Sequence, residues 1–216
     1  MYNLGSIPSS PTKLSLVKAS SAGRPIKFMY PGEFDNLFRK IANIFTLETM
    51  AKSLDVTGNF PKRSPQTPIW DVMDSALDCE YIDIGDGRYV SCRHFFKRPT
   101  RILFMVLLAE LEARLFRIHE RNGNDIAELN DKNMNELIKE LVDSEFVKLQ
   151  IEYPTRAEFK EDFKAISAFR NIVMHYNKKL EKTIDLNMLI KRKKQMTKML
   201  AALQQISDKM TQKKKD

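Results

Sequence analysis

FKEDFKAISAFRNIVMHYN, residues Phe159 to Asn177, decides how this chain is read. At about 100° per residue, Phe159, Phe163, Ile166, Phe169, Ile172, Val173 and Tyr176 gather on one broad arc, while Lys160, Lys164, Ser167, Asn171, His175 and Lys178 line the opposite side. The spacing predicts an amphipathic helix of about five turns. Thr155 stands as its N-cap with Glu158 three residues on, and Pro154 closes off what precedes. Asn171 and His175 are one turn apart on the polar side. Arg170 sits at the boundary between the arcs, with a side chain long enough to swing toward the polar face.

Working outward, three further helical patterns surround this one. Arg101 to Arg121 carries a dense apolar run (Ile102, Leu103, Met105, Val106, Leu107, Leu108, Leu111, Leu115, Phe116, Ile118), with Pro99 at its start and Asn122-Gly123 as a stop. Asn133 to Leu149 gives a shorter helix, and Leu186 to Met210 a long one through Leu189, Met196, Met199, Leu200, Leu203 and Ile206. Four such helices joined by short connections predict an antiparallel bundle over residues 99–210, followed by a basic tail at 211–216.

Before residue 99 the character differs. Residues 1–25 are rich in Ser, Pro, Gly and Ala without a sustained period and read as a flexible arm. Ile26 to Tyr30 reads as a short strand, and Phe34, Leu37, Phe38, Ile41 and Phe45 recur at helical spacing. A short amphipathic segment covers Ile69 to Leu77. Tyr81-Ile82-Asp83-Ile84 and Arg88-Tyr89-Val90-Ser91-Cys92 flank Gly85-Asp86-Gly87, a β-hairpin pattern. Residues 26–98 thus read as a small α/β unit, and the whole chain as α+β, mostly α.

Composition narrows the function classes. No apolar run approaches the roughly 20 residues that span a bilayer, and no secretory leader is visible at the N-terminus, so the reading is a cytoplasmic protein without a membrane partner. Two cysteines, Cys79 and Cys92, in unrelated contexts argue against a disulfide framework and against a cysteine zinc cluster. Phosphate-binding glycine loops, a His-Glu-x-x-His box and a nucleophile elbow are absent, and no metal or cofactor is expected. The net charge of +8 suits a polyanion, with the excess concentrated in Lys191-Arg192-Lys193-Lys194 and Lys213-Lys214-Lys215.

Each of the three histidines has an arginine five or six positions upstream: Arg88 with His94, Arg114 with His119, Arg170 with His175. Spacing alone therefore identifies nothing. The first pair straddles a strand end and the second lies near the end of the most apolar helix, where a cation beside the last carbonyls is ordinary. Arg170 and His175 differ in sitting mid-helix with Asn171 between them, where capping does not explain them.

Arg170-Asn171-x-x-x-His175 on the third helix of a four-helix bundle resembles the Arg-polar-x(3–5)-His motif of the HEPN (higher eukaryotes and prokaryotes nucleotide-binding) superfamily, over about Pro99 to Met210. The long apolar first helix with an acidic residue, Glu110 or Glu112, adds to the likeness. GDGRYVSCRHFFKRPTRILFMVLLAELEARLFRI also resembles the passage from a CBS domain into such a bundle, which makes residues 26–98 a reduced CBS-like unit. Cys92 and Phe95 stand where the ribose-binding Thr and Asp of that family would align.

The HEPN resemblance implies metal-independent cleavage of RNA to 2′,3′-cyclic phosphate ends, in a cleft shared by two copies of the motif across a homodimer. His175 would move protons, Arg170 would clamp the scissile phosphate, and Asn171 would orient His175 or donate to a phosphate oxygen. Ser167, Glu110 and Glu112 would support the site. Lys160, Lys164 and Lys178, with Lys191, Arg192, Lys193 and Lys194, would guide the RNA backbone. Other readings stand beside this one: a catalytically inactive bundle that binds RNA, nucleotide or protein, and a CBS-like regulatory protein dimerised by its bundle. An inhibitory protein partner, as for a toxin or defence nuclease, also stays open.

Overall fold

The computed structural model describes residues 31–125, 128–129, 132, 134–143, 153, 155–174 and 180–213. The expected strand at Ile26 to Tyr30 lies outside these residues.

Helix α1 (Pro31–Ile44) turns Phe34 inward and stacks it on Phe38 with ring centroids 6.0 Å apart. A two-residue strand, β1 (Lys52–Ser53), follows, then α2 (Ile69–Val72) and a 3-10 turn at Asp74–Leu77. The amphipathic pattern over Ile69 to Leu77 is thus realised as two short turns. The hairpin forms as read: β2 (Tyr81–Asp83) pairs antiparallel with β3 (Arg88–Ser91), Ile82 opposite Val90. Its connection carries positive φ at Gly85 (90°), Asp86 (54°) and Gly87 (66°), a backbone that glycine adopts freely and aspartate tolerates. Strand β1 completes a three-stranded sheet in the order β1-β3-β2.

The rest is helical. Helix α3 (Arg98–Arg121) starts with Pro99 in its first turn and ends at Asn122 and Gly123, where φ reaches 87°. Helix α4 (Met134–Asp143) covers the first part of the segment expected at Asn133 to Leu149; residues 144–149 lie outside the described set. Helix α5 (Arg156–Met174) carries the opening stretch as far as Met174, residues 175–177 lying outside the described set, and begins on the expected cap, with the Glu158 N–H donating to Thr155 Oγ1 at 3.0 Å. A short α6 (Leu180–Thr183) precedes α7 (Leu186–Lys213), which continues three residues past the expected end into the basic tail.

Helix α3 packs against α4, α5 and α7, and α5 also packs against α4 and α7. Its burial explains its composition: Leu103, Phe104, Leu111 and Leu115 are fully enclosed because neighbours cover several of its sides. An edge-to-face chain of aromatic rings ties the N-terminal segments to this assembly, Phe38 to Trp70 (5.3 Å), Trp70 to Phe104 (5.4 Å) and Phe104 to Phe169 (5.0 Å). The buried apolar side chains of the described residues, from Phe34 to Met210, form one continuous cluster. Among the described residues no helix is long and apolar enough to cross a membrane.

Candidate functional site

Arg170 follows Ile166 by four residues and Phe163 by seven, so it leaves α5 beside the inward arc. Its guanidinium does not swing to the polar face. Nε donates to Glu112 Oε1 of α3 at 2.6 Å, with both side chains about one-third exposed (36% and 34%). One of the five N–H donors of the guanidinium is used in this bond, and the pair is accessible enough that a phosphate could compete for the arginine. Asn171 is exposed next to it, and Lys160 and Lys164 are exposed on the same helix. His175 and Lys178 lie outside the described residues.

Of Glu110 and Glu112, it is Glu112 that meets Arg170. Glu110 is buried and bonded elsewhere: its Oε1 accepts from Arg114 Nε at 2.7 Å and from Arg117 Nη2 at 3.1 Å. Arg114 also donates to the Leu200 carbonyl at 2.8 Å, which makes the network a brace between α3 and α7. Burial pushes the Arg117 guanidinium below its usual range, with Glu110 opposing that shift.

Ser167 is a correction to the expected polar face. It is 8% exposed, because position 167 follows Phe163 by one turn and falls at the edge of the packed arc, where a small hydroxyl side chain is accommodated.

The basic run on α7 is also divided by the structure. Successive residues on a helix point about 100° apart, so four in a row cannot share one face. Lys193 turns inward: its Nζ donates to the Trp70 carbonyl at 2.6 Å and to Asp74 Oδ2 at 2.5 Å, and lies 5.0 Å from the Trp70 ring centre. It fastens α7 to the α2 region and is not presented to a ligand. Arg192 is half-buried and donates to Gln195 Oε1. Lys191 and Lys194 remain exposed.

The other two histidines have structural partners. His94 is buried at the 3-10 turn Cys92–Phe96, where Nδ1 accepts from the Ser91 N–H at 2.9 Å. Burial, then Lys52 and Lys97, hold its pKa below the usual histidine value. His119 bonds across the bundle and not to the carbonyls of its own helix end: Nε2 meets the Leu137 carbonyl of α4 at 2.7 Å, and Nδ1 lies 3.0 Å from Asn124 Nδ2. Among the described residues no group of three or more His, Cys, Asp and Glu side chains is placed to hold a metal ion.

Sequence reasoning missed Lys198, Gln195 and Asp162, which stand with Lys191 and Lys194 around a groove between α5 and α7. The available signal was the spacing of Lys191, Lys194 and Lys198, at i, i+3 and i+7 on one helix face.

Comparison with family models, with curated proteins and with solved structures finds no match to this chain.

Proposed function

We propose that this chain is a metal-independent endoribonuclease of the HEPN type, acting as a homodimer in which two copies of Arg170, Asn171 and His175 share one cleft. The observation that carries the reading is the contact between Arg170 and Glu112 at 2.6 Å, which joins the motif arginine to an acidic residue of the long apolar helix. Exposed Asn171, Lys160 and Lys164 on α5 support it, as does Met174, whose 44% exposure one turn beyond Asn171 leaves apolar surface for a second copy to cover.

In the proposed reaction His175 takes the proton of the ribose 2′-OH as its oxygen attacks phosphorus, and the departing 5′-oxygen receives a proton from the second His175. Arg170 leaves Glu112 for the phosphate and stabilises the charge of the phosphorane. The products are a 2′,3′-cyclic phosphate and a free 5′-hydroxyl.

A second reading, an RNA-binding bundle that does not cleave, rests on exposed Lys160, Lys164 and Asn171 of α5, which can hold an RNA backbone without any proton transfer. Incubating the full chain with single-stranded RNA in EDTA separates the two. The nuclease gives cleavage that survives EDTA and is lost in both Arg170→Ala and His175→Ala. RNA left intact at every protein concentration would sink the nuclease reading.

A further inference from the structure

The ladder between β2 and β3 ends with Tyr81 opposite Ser91. One step further, Cys92 comes level with Glu80, the neighbour of Cys79. Paired strands lie about 4.8 Å apart and rise about 3.3 Å per residue, so Cys79 and Cys92 stand on a diagonal of about 6 Å between Cα atoms, within the roughly 4.4–6.8 Å that a disulfide spans. Strict alternation would send the two side chains to opposite faces of the sheet. The chain bends at Asp78 and Glu80 instead, and both thiols, each free and partly buried, pack against the core.

The two thiols are not equivalent. Cys79 lines a cavity of about 330 Å³ with Pro61, Arg63, Ser75, Asp78 and Ile82, and Cys92 does not. Its Sγ donates to the Ser75 carbonyl at 3.6 Å, which ties it to the 3-10 turn Asp74–Leu77. Burial, then Asp78, push the Cys79 thiol up; Arg63 opposes them, and Cys92 is near enough to add to the rise. A thiol of raised pKa is a strong nucleophile once ionised and a poor leaving group.

We propose that Cys79 and Cys92 are a redox pair whose substrate is a small disulfide of the glutathione class. The Cys79 thiol gives its proton to water, and the thiolate attacks one sulfur of the reagent from the cavity, where Arg63 can pair with a glutathione carboxylate. The S–S bond of the reagent breaks and one glutathione thiolate departs, leaving a mixed disulfide on Cys79. The Cys92 thiolate then attacks the Cys79 sulfur and expels the second glutathione thiolate, which leaves faster than Cys79 because its pKa is lower. The chain gives up two electrons and two protons, and the reagent takes them as two molecules of reduced glutathione. Closure fastens the turn that holds Lys193 through Asp74 to the 3-10 turn Cys92–Phe96 leading into α3. Neither Arg170 nor RNA takes part, so the proposal stands apart from the nuclease reading.

The test is titration of the full chain with mixtures of oxidised and reduced glutathione, quenched by alkylation and read by mass spectrometry. The expected product is a monomer that has lost two hydrogens, with a peptide linked through Cys79 and Cys92, and that returns to the dithiol in excess reduced glutathione. Cys92→Ser should accumulate a mixed disulfide on Cys79, while Cys79→Ser should leave Cys92 modified at least about tenfold more slowly, because it does not line the cavity. The fold holds the two sulfurs together, so the native chain should close at an oxidised-to-reduced ratio at least about tenfold below the one needed in urea. Two thiols that both stay open to alkylation, a mixed disulfide that persists on the parent chain, linkage between chains only, or the same midpoint with and without urea would each overturn the proposal.

Discussion

Arg170 Nε donates to Glu112 Oε1 across 2.6 Å, joining α5 to α3 through two side chains that are each about one-third exposed. Partly hydrated pairs of this kind contribute little to folding, because water already solvates both ions. A double-mutant cycle of Arg170→Ala and Glu112→Ala, read by urea denaturation, should give a coupling of no more than about 1 kcal/mol. A coupling well above that would make the contact a structural strut and remove its availability to a phosphate.

Glu110 presents the opposite case. It is 6% exposed and lies between Arg114 and Arg117, so Glu110→Ala leaves two guanidinium groups with their shared carboxylate gone. Stability should fall by about 3–5 kcal/mol, the usual cost of an uncompensated buried charge. Chemical denaturation at neutral pH measures it, and a loss under about 1 kcal/mol would show that water reaches the arginines.

Lys193 and Lys191, two positions apart in one basic run, should respond differently to the same change. Lys193→Met removes charge-assisted bonds to Asp74 and the Trp70 carbonyl and should cost about 1.5–3 kcal/mol. Lys191→Met alters an exposed position and should stay within about 0.5 kcal/mol. Thermal melts of the two variants side by side decide this.

His94 predicts acid sensitivity. Its folded pKa is below the unfolded value near 6.5, so the unfolded chain binds a proton more readily as pH falls. The contribution of the neutral ring is fully present above about pH 6.5 and is lost as pH falls through the folded pKa, with a slope of at most about 1.4 kcal/mol per pH unit. Comparing the pH dependence of stability for the parent chain and His94→Gln isolates it; an unchanged slope between about pH 6.5 and 5 would refute the assignment.

The aromatic chain gives a packing test. Phe104 is fully buried between Trp70 and Phe169, so Phe104→Ala opens a void that both α2 and α5 line and should cost about 3–5 kcal/mol. Calorimetric unfolding should show a lowered midpoint with the transition still single, because the rings belong to one continuous core.

The legible parts of this chain are those set by neighbours in sequence. Helix α5 begins on Thr155 because a hydroxyl there can accept the Glu158 N–H, and α3 ends at Gly123 because that residue adopts positive φ without strain. The hairpin followed from Gly85-Asp86-Gly87 for the same reason. Strand β1 was missed because two residues, Lys52 and Ser53, carry no period to read.

The candidate site was less legible because it depends on which faces meet. Helix α3 is apolar on most sides, so its sequence does not tell which of Glu110 and Glu112 turns toward α5 and which toward α7. Ser167 reads as polar until the packing of α5 closes over it. Lys193 reads as a nucleic-acid contact until Trp70 and Asp74, more than a hundred residues earlier, are brought beneath it.

By itself, then, the sequence determined a mostly helical chain with one glycine-turned hairpin and the stretch Phe159 to Asn177 as its most informative helix, because periodicity, caps and turns act over a few residues. Only the tertiary structure decided that Arg170 meets Glu112, that Glu110 braces two arginines, and that Lys193 reaches Trp70 and Asp74. Those pairings join residues distant along the chain, and the docking angles of the helices, which no local pattern encodes, select them.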